Sequence, residues 1–96
     1  MATAGGVATR WLSDDFPGFL EVVLTDADQV AHVIHDKAPV LGRGEWSSTT
    51  DYPREIWIDA DVIGEHRNTV TVRLAHSVES LDGRRDFELP TTLVRP

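Results

Sequence analysis

The sequence contains no cysteine. Without thiols the chain cannot form disulfides, thiolate zinc sites or iron–sulfur clusters, and it has no cysteine nucleophile. This composition fits a reducing compartment, so we expect a cytoplasmic protein.

Long apolar runs are also missing. No stretch approaches the ~18 consecutive apolar residues that a membrane-spanning helix needs. Residues 1–10 lack the positive start and apolar core of a secretory signal, so we expect no membrane partner. The small side chains of this opening segment predict a flexible tail over residues 1–10. The length of the remainder predicts a single domain over residues 11–96.

Basic residues are scarce relative to acidic ones. Nine lysines and arginines stand against 16 aspartates and glutamates, which gives a formal net charge of -7. Such a surface repels phosphate backbones and anionic lipid headgroups, and it attracts cationic proteins. We therefore expect no nucleic-acid partner and favour a basic protein partner.

Helical periodicity is absent, and the clearest pattern is the strand alternation of residues 69–89. From Thr69 to Ser80 the even-numbered positions form an apolar stripe, which His76 and Ser80 interrupt, and the Asp82-Gly83 turn signal then sends the chain back. The stripe and the returning strand contain Val70, Val72, Leu74, Val78, Phe87 and Leu89. This pattern predicts a β-hairpin with one buried face.

A second hairpin is predicted between residues 19–25 and 30–37. The intervening Asp26-Ala27-Asp28-Gln29 suits a turn whose last residue is left-handed. With Gln29 at the bulge position, Val23 faces Val33 and Glu21 faces His35. Pro39 has no N–H for a sheet ladder and predicts a strand end or a sheet edge.

Further along the chain, residues 55–63 alternate again, and residues 42–53 form a long loop without periodicity. The predicted core face of the alternating strand consists of Ile56, Ile58, Ala60 and Val62. Residues 90–94 predict a short helical turn or a last strand. Short strands separated by turn residues predict an all-β fold, a small closed or partly open barrel of five to six strands. We expect an SH3-like barrel, with an OB-like barrel as the alternative.

Residues that carry chemistry are few. His32 and His35 project to opposite faces of a strand and cannot share one metal ion, so we expect no metal, no cofactor and surface histidines. His76 is the one titratable residue in phase with the apolar stripe, and it is the candidate for pH sensing or catalysis. No nucleophile elbow, phosphate loop or zinc-protease motif is present, so the chain is not predicted to be an enzyme.

Aromatic residues provide the best functional signal. Trp46 and Tyr52 lie in the long loop and Trp57 lies on the non-core face of its strand, and these residue types are enriched at binding hot spots. The predicted binding surface consists of these three rings with Asp59 and Asp61 beside them, inside a wider rim that includes Asp51 and Glu55. In the alternative interpretation, Trp46 folds back as a lid and Trp57 packs under the segment around Trp11.

Several short segments carry a resemblance. They are residues 24–28 (Leu-Thr-Asp-Ala-Asp), residues 37–40 (Lys-Ala-Pro-Val), Tyr52-Pro53, and the run from Asp82-Gly83 to Phe87. With them the chain resembles a group of small uncharacterised bacterial proteins with one β-domain. The resemblance implies the fold and a bacterial setting, and it implies no activity.

The sequence therefore predicts a non-catalytic protein-interaction domain with an acidic, aromatic-containing surface. The alternative is a small-ligand-binding or enzymatic domain that uses His76. A third hypothesis is an immunity or antitoxin-like protein that masks a cationic toxin.

Overall fold

A computed structural model describes all residues from 1 to 96, and it contains seven strands. The strands are β1 (Ala2–Ser13), β2 (Phe19–Thr25), β3 (Ala31–Lys37), β4 (Arg54–Glu65), β5 (Thr69–Leu74), β6 (Asp86–Pro90) and β7 (Val94–Arg95). One helical turn, α1 (Ala38–Leu41), and one 3₁₀ turn (Thr91–Leu93) complete the secondary structure. All strand pairs are antiparallel.

The sheet curls into a half-barrel. Its strand order is β3, β2, β1, β4, β5, β6, and the short β7 pairs with β1 outside this path. The prediction of an all-β fold and a small, partly open barrel is confirmed. No helix has the length and apolar character needed to cross a bilayer.

The predicted flexible tail over residues 1–10 is wrong, because these residues belong to the central strand. Residues 2–8 of β1 pair with β4, and residues 7–13 pair with β2. Ala2, Ala4 and Ala8 point into the core and are buried. Small side chains are typical of flexible segments, but here Ala4 and Ala8 belong to the close-packed hydrophobic core. The domain therefore includes the opening residues.

The first hairpin has the predicted register, with Val23 opposite Val33 and Glu21 opposite His35. Gln29 adopts a left-handed φ of 65°, as predicted for the bulge position. The Asp26 carboxylate accepts hydrogen bonds from the backbone N–H groups of the turn and so fixes its shape. Strand β3 ends immediately before the turn that contains Pro39, which confirms the predicted strand end.

The second hairpin and its buried face are confirmed, but residues 75–85 connect its strands and not a two-residue turn at Asp82-Gly83. Val72 pairs with Phe87 and Val70 with Leu89, but β5 ends at Leu74. His76 and Ser77 then take left-handed φ values of 61° and 59°, which turn the chain out of the sheet. The interpretation of His76 as part of the apolar stripe is therefore wrong.

Strand β4 buries Ile56, Ile58 and Ala60 as predicted, but Val62 is 42% exposed. A bulge between Val62 and Gly64 shifts the pairing with β5 near the tip of this hairpin. The predicted assignment of Val62 to the core is wrong: Val62 still pairs with the buried Val72, but it lies toward the hairpin tip, where the neighbouring residues of β4 are exposed.

The two outer strands of the half-barrel, β3 and β6, approach each other along a seam. The Ala27 N–H donates to the Glu88 carbonyl at 2.9 Å, and the Leu81 N–H donates to the Val33 carbonyl at 2.8 Å. These bonds partly satisfy strand edges that would otherwise be open to other chains. The closing residues adopt both of their predicted forms, a 3₁₀ turn and then β7.

Candidate functional site

Trp46 and Tyr52 lie against each other in the loop between α1 and β4. Their ring centroids are 6.4 Å apart and the rings are nearly parallel. The Trp46 indole N–H donates to the Arg43 carbonyl at 3.1 Å, and the Tyr52 hydroxyl donates to the Ser47 carbonyl at 2.8 Å. Both rings are half-buried and pack on the core, so Trp46 folds back as the alternative interpretation expected.

Trp57 lies on the outer face of β4, and its ring crosses over Gly5 of β1. A Cβ atom at Gly5 would lie 2.9 Å from two ring carbons of Trp57, so the ring needs a residue without a side chain there. The indole N–H donates to the Glu55 carboxylate at 2.9 Å. The expected packing of Trp57 under Trp11 is wrong, because the Trp11 ring instead lies against Gly18.

Arginines cover both tryptophan rings, and this feature was not predicted from the sequence. The guanidinium carbon of Arg95 lies 3.7 Å from the Trp57 ring centroid, and that of Arg54 lies 4.7 Å from the Trp46 ring centroid. Both arrangements are cation–π contacts. Arg54 lies eight residues after Trp46, and Arg95 lies in the two-residue β7, far along the chain from Trp57. Strand alternation alone therefore gives no signal for either contact.

Two adjoining grooves meet at Trp57. The first, which we call the glycine groove, has a volume of about 380 Å³ and runs over Gly5, Gly6 and Val7 beside Val23 and Leu93. The second, which we call the arginine groove, has a volume of about 300 Å³ and is lined by both tryptophans and by Arg43, Arg54 and Arg95. Arg54, Glu55 and Trp57 line both grooves.

The glycine groove exists because β1 changes neighbours along its length. Val7 pairs with Val23 of β2 and Ala4 pairs with Val94 of β7, whereas Gly5 and Gly6 between them have no paired residue on that side. Backbone therefore forms the floor of the groove, and Val7 is 41% exposed at its edge. The result is an apolar depression on the outer face of the sheet.

The predicted acidic residues are only partly brought to this site. Asp59 lies 3.6 Å from the Arg43 guanidinium and 3.2 Å from the His76 ring. Asp61 lies further along β4, is exposed and lines neither groove. Of the predicted acidic rim, Glu55 contacts Trp57, and the ring faces of both tryptophans are covered by arginines.

The candidate titratable residue His76 is half-exposed in the loop after β5. The Asp59 carboxylate is the side-chain partner of the His76 ring. His76 lines none of the four main grooves. No group of three or more histidine and carboxylate side chains is arranged to hold a metal ion.

The buried histidine is His32, which the sequence analysis placed on the surface. Its Nε2 atom lies 2.8 Å from the Asp26 carboxylate, and its ring meets the edge of Phe87 at 4.9 Å between centroids. The hydrogen bond from His32, followed by that from the Val30 N–H, lowers the pKa of Asp26. The in-phase spacing of His32 with the buried Ile34 was the available sequence signal.

His35 lies on the opposite face of β3, as predicted, and is part of an ionic cluster with Glu21. The Glu21 carboxylate lies 3.1 Å from Arg10 and 2.8 Å from His35. Hydrogen bonds from Arg10, His35 and Thr9, in that order, lower the pKa of Glu21 to about 2. This cluster is on the β2–β3 side of the sheet and does not line either groove.

The fold and this face together define a small all-β half-barrel domain with paired aromatic and arginine side chains on its outer surface. No protein-family model matches the chain, and no curated protein or solved structure matches it either.

Proposed function

We propose that the chain is a non-catalytic protein-interaction domain that binds its partner through the outer face around Trp57. The observation that carries this proposal is the position of Trp57, half-exposed at the junction of the two grooves. Tryptophan and arginine are among the residue types most enriched at binding hot spots, and both line the two grooves on this face.

The net charge of the whole chain supports a partner that is basic overall. A charge of -7 steers cationic proteins toward the domain and discourages polyanions. Masking of a cationic toxin, as in an immunity or antitoxin-like protein, is one specific form of this proposal. The lack of cysteine and the resemblance described above support a cytoplasmic, bacterial setting.

The proposal is tested by capturing a partner from lysate of the source cells and repeating the binding with purified components. We expect Trp57→Ser to lose the captured protein, because the variant removes the wall shared by both grooves. Ile63→Ser is the matched control, since Ile63 is an exposed apolar residue on the same strand but lines neither groove. Equal binding by the wild type and the Trp57 variant would contradict the proposal.

A small-ligand or enzymatic function that uses His76 is a second candidate. The contact between His76 and Asp59 favours it, because a histidine paired with a carboxylate is a common general base. The main grooves do not reach His76, and we therefore place this function second. A metabolite that shifts the His76 ring signals in NMR titration, with those of Trp57 unchanged, would favour it over protein binding.

A further inference from the structure

Arg54 and Arg95 are the two arginines of this chain that lie on tryptophan rings, and no carboxylate pairs with either of them. Three other arginines also lack a carboxylate partner, but none of them lies on an indole ring; they are Arg67, Arg84 and Arg85. Acidic residues outnumber basic ones by 16 to nine, so potential partners are abundant. Arg10 pairs with Glu21, and Arg73 forms a two-pronged pair with Asp86 at 2.8 and 2.9 Å. Arg54 and Arg95 instead lie on the indole rings of Trp46 and Trp57.

This stacking holds the two guanidinium groups in place while their N–H donors stay available. A guanidinium that lies over an aromatic ring keeps its donors around the edge of its plane, where they match the two oxygens of a carboxylate. Both arginines line the arginine groove. The groove therefore presents fixed, unpaired donors of positive charge inside an acidic protein.

We propose that the arginine groove binds a single carboxylate of a partner's peptide segment, whose neighbouring apolar side chain enters the glycine groove. This inference rests on the proposed protein-binding function and specifies its chemistry. The shared wall at Trp57 places the two subsites side by side, as two neighbouring side chains of a peptide require. Charge complementarity selects the carboxylate, and the apolar lining of the glycine groove selects its neighbour.

The arrangement favours one carboxylate over a polyanion. Glu55 lines both grooves and repels a second negative charge, while Arg43 is already close to Asp59. The rings are also covered, because Trp57 contacts Gly5 and Arg95, and Trp46 contacts Tyr52 and Arg54. A nucleic-acid base would find no open ring face on which to stack.

A local carboxylate is compatible with a partner that is basic overall. Screening by salt limits the influence of exposed charges to about 8 Å at physiological ionic strength. The arginines therefore act on the group that contacts the groove, whereas the net charge acts on the approach of the whole partner.

The test uses an array of short peptides in which an aliphatic residue stands next to glutamate, glutamine or lysine. We expect the best glutamate peptides to bind about tenfold more tightly than their glutamine counterparts, as the loss of a charge-assisted hydrogen bond implies. Arg54→Gln and Arg95→Gln should each abolish this preference, and Arg95→Lys should restore only part of it. Arg67→Gln is the matched control, because Arg67 is exposed in the turn between β4 and β5.

Other outcomes distinguish failure of the carboxylate site from failure of the proposed protein-binding function. Trp57-dependent binding without a preference for glutamate would overturn the carboxylate site and leave protein binding intact. Preferential binding of lysine peptides, or of a single-stranded oligonucleotide, would also overturn it. If neither peptide binding nor protein capture depended on Trp57, both the carboxylate site and the proposed protein-binding function would be contradicted. Thermal unfolding of each variant verifies that the domain remains folded.

Discussion

Gly5 determines the position of Trp57 and therefore the shape of both grooves. It is buried in the central strand, directly beneath the indole ring, where a Cβ atom would overlap ring carbons. The ring can rest across β1 only because this position has no side chain. The absence of a Cβ atom at Gly5 therefore determines the shape of the candidate binding face.

Gly5→Ala is expected to displace the Trp57 ring and to reduce the free energy of unfolding by about 1–3 kcal/mol, because the added methyl overpacks the site. Urea denaturation and the Trp57 indole signal in NMR measure the two effects. Gly64→Ala in β4 is the control, since its Cβ would meet its nearest neighbour at an ordinary 3.7 Å. Equal stabilities of the two variants would show that Gly5 is not constrained by the ring.

Asp26 has a different role from its neighbour Asp28, although both belong to the same turn. The Asp26 carboxylate is buried and accepts hydrogen bonds from two backbone N–H groups and from His32. The Asp28 side chain is exposed and makes no such bond. Removing Asp26 leaves the buried His32 ring without its partner, which is costly in a low-dielectric interior.

We therefore expect Asp26→Ala to lower the midpoint of thermal unfolding clearly, and Asp28→Ala to change it little. Differential scanning calorimetry at neutral pH compares the two variants with the wild type. A similar midpoint for both would mean that the His32 contact contributes nothing to the stability of the turn.

At the scale of elements, the hairpins were predictable and the central strand was not. The β2–β3 register follows from local turn chemistry at Gln29, and the buried faces of β5 and β6 follow from alternation around Val72 and Phe87. Strand β1 pairs with β4, which is distant in sequence, and with β2, which follows the connection between Ser13 and Phe19. Its alanines and glycines have low strand propensity, and tertiary packing overrides that preference.

The seam between β3 and β6 closes the half-barrel and depends on Phe87. This ring is almost completely buried and meets His32 across the seam. Only two backbone hydrogen bonds, those of Ala27 and Leu81, join the elements on the two sides. Side-chain packing therefore has to supply much of the closure.

Phe87→Ala is expected to cost about 3–5 kcal/mol of unfolding free energy, because it empties a large core volume. Phe16→Ala should change stability by no more than about 0.5 kcal/mol, since Phe16 is 97% exposed. Chemical denaturation measures both values. A faster amide exchange at Ala27 and Leu81 in the Phe87 variant would locate the damage at the seam, and unchanged exchange there would contradict this account of closure.

At the scale of the whole molecule, the carboxylates link stability to pH. Hydrogen bonds lower the pKa values of Glu21, Asp26, Asp82 and Asp86, through Arg10, His32, Ser80 and Arg73 respectively as the largest cause. A carboxyl with a lower pKa in the folded state stabilises the fold above its unfolded pKa. That contribution disappears as the pH falls through the folded value.

For Glu21 the window extends from its ordinary pKa of 4.5 down to about 2. We expect the melting temperature of the wild type to fall across this window and that of Glu21→Gln to fall less. Glu79→Gln, which changes an exposed glutamate in the loop after β5, should follow the wild type. Parallel curves for the wild type and the Glu21 variant would contradict the role assigned to the Arg10 and His35 contacts.

The candidate face illustrates what the sequence can and cannot provide at this scale. Trp57 was predictable on the outer face because strand alternation places it opposite Ile56 and Ile58. Arg95 was not, since it reaches Trp57 only after β7 pairs with Thr3 of β1. Composition predicted an acidic surface, but composition cannot indicate where the few arginines gather.

The most direct test of the central claim is a chemical-shift map of the isotopically labelled domain in complex with its purified partner. The account predicts that the largest changes occur at the indole N–H signals of Trp46 and Trp57 and at the amides of Gly5 and Gly6. Changes confined to the exposed hairpin tip at Ile63, with the Trp57 indole signal unmoved, would contradict it.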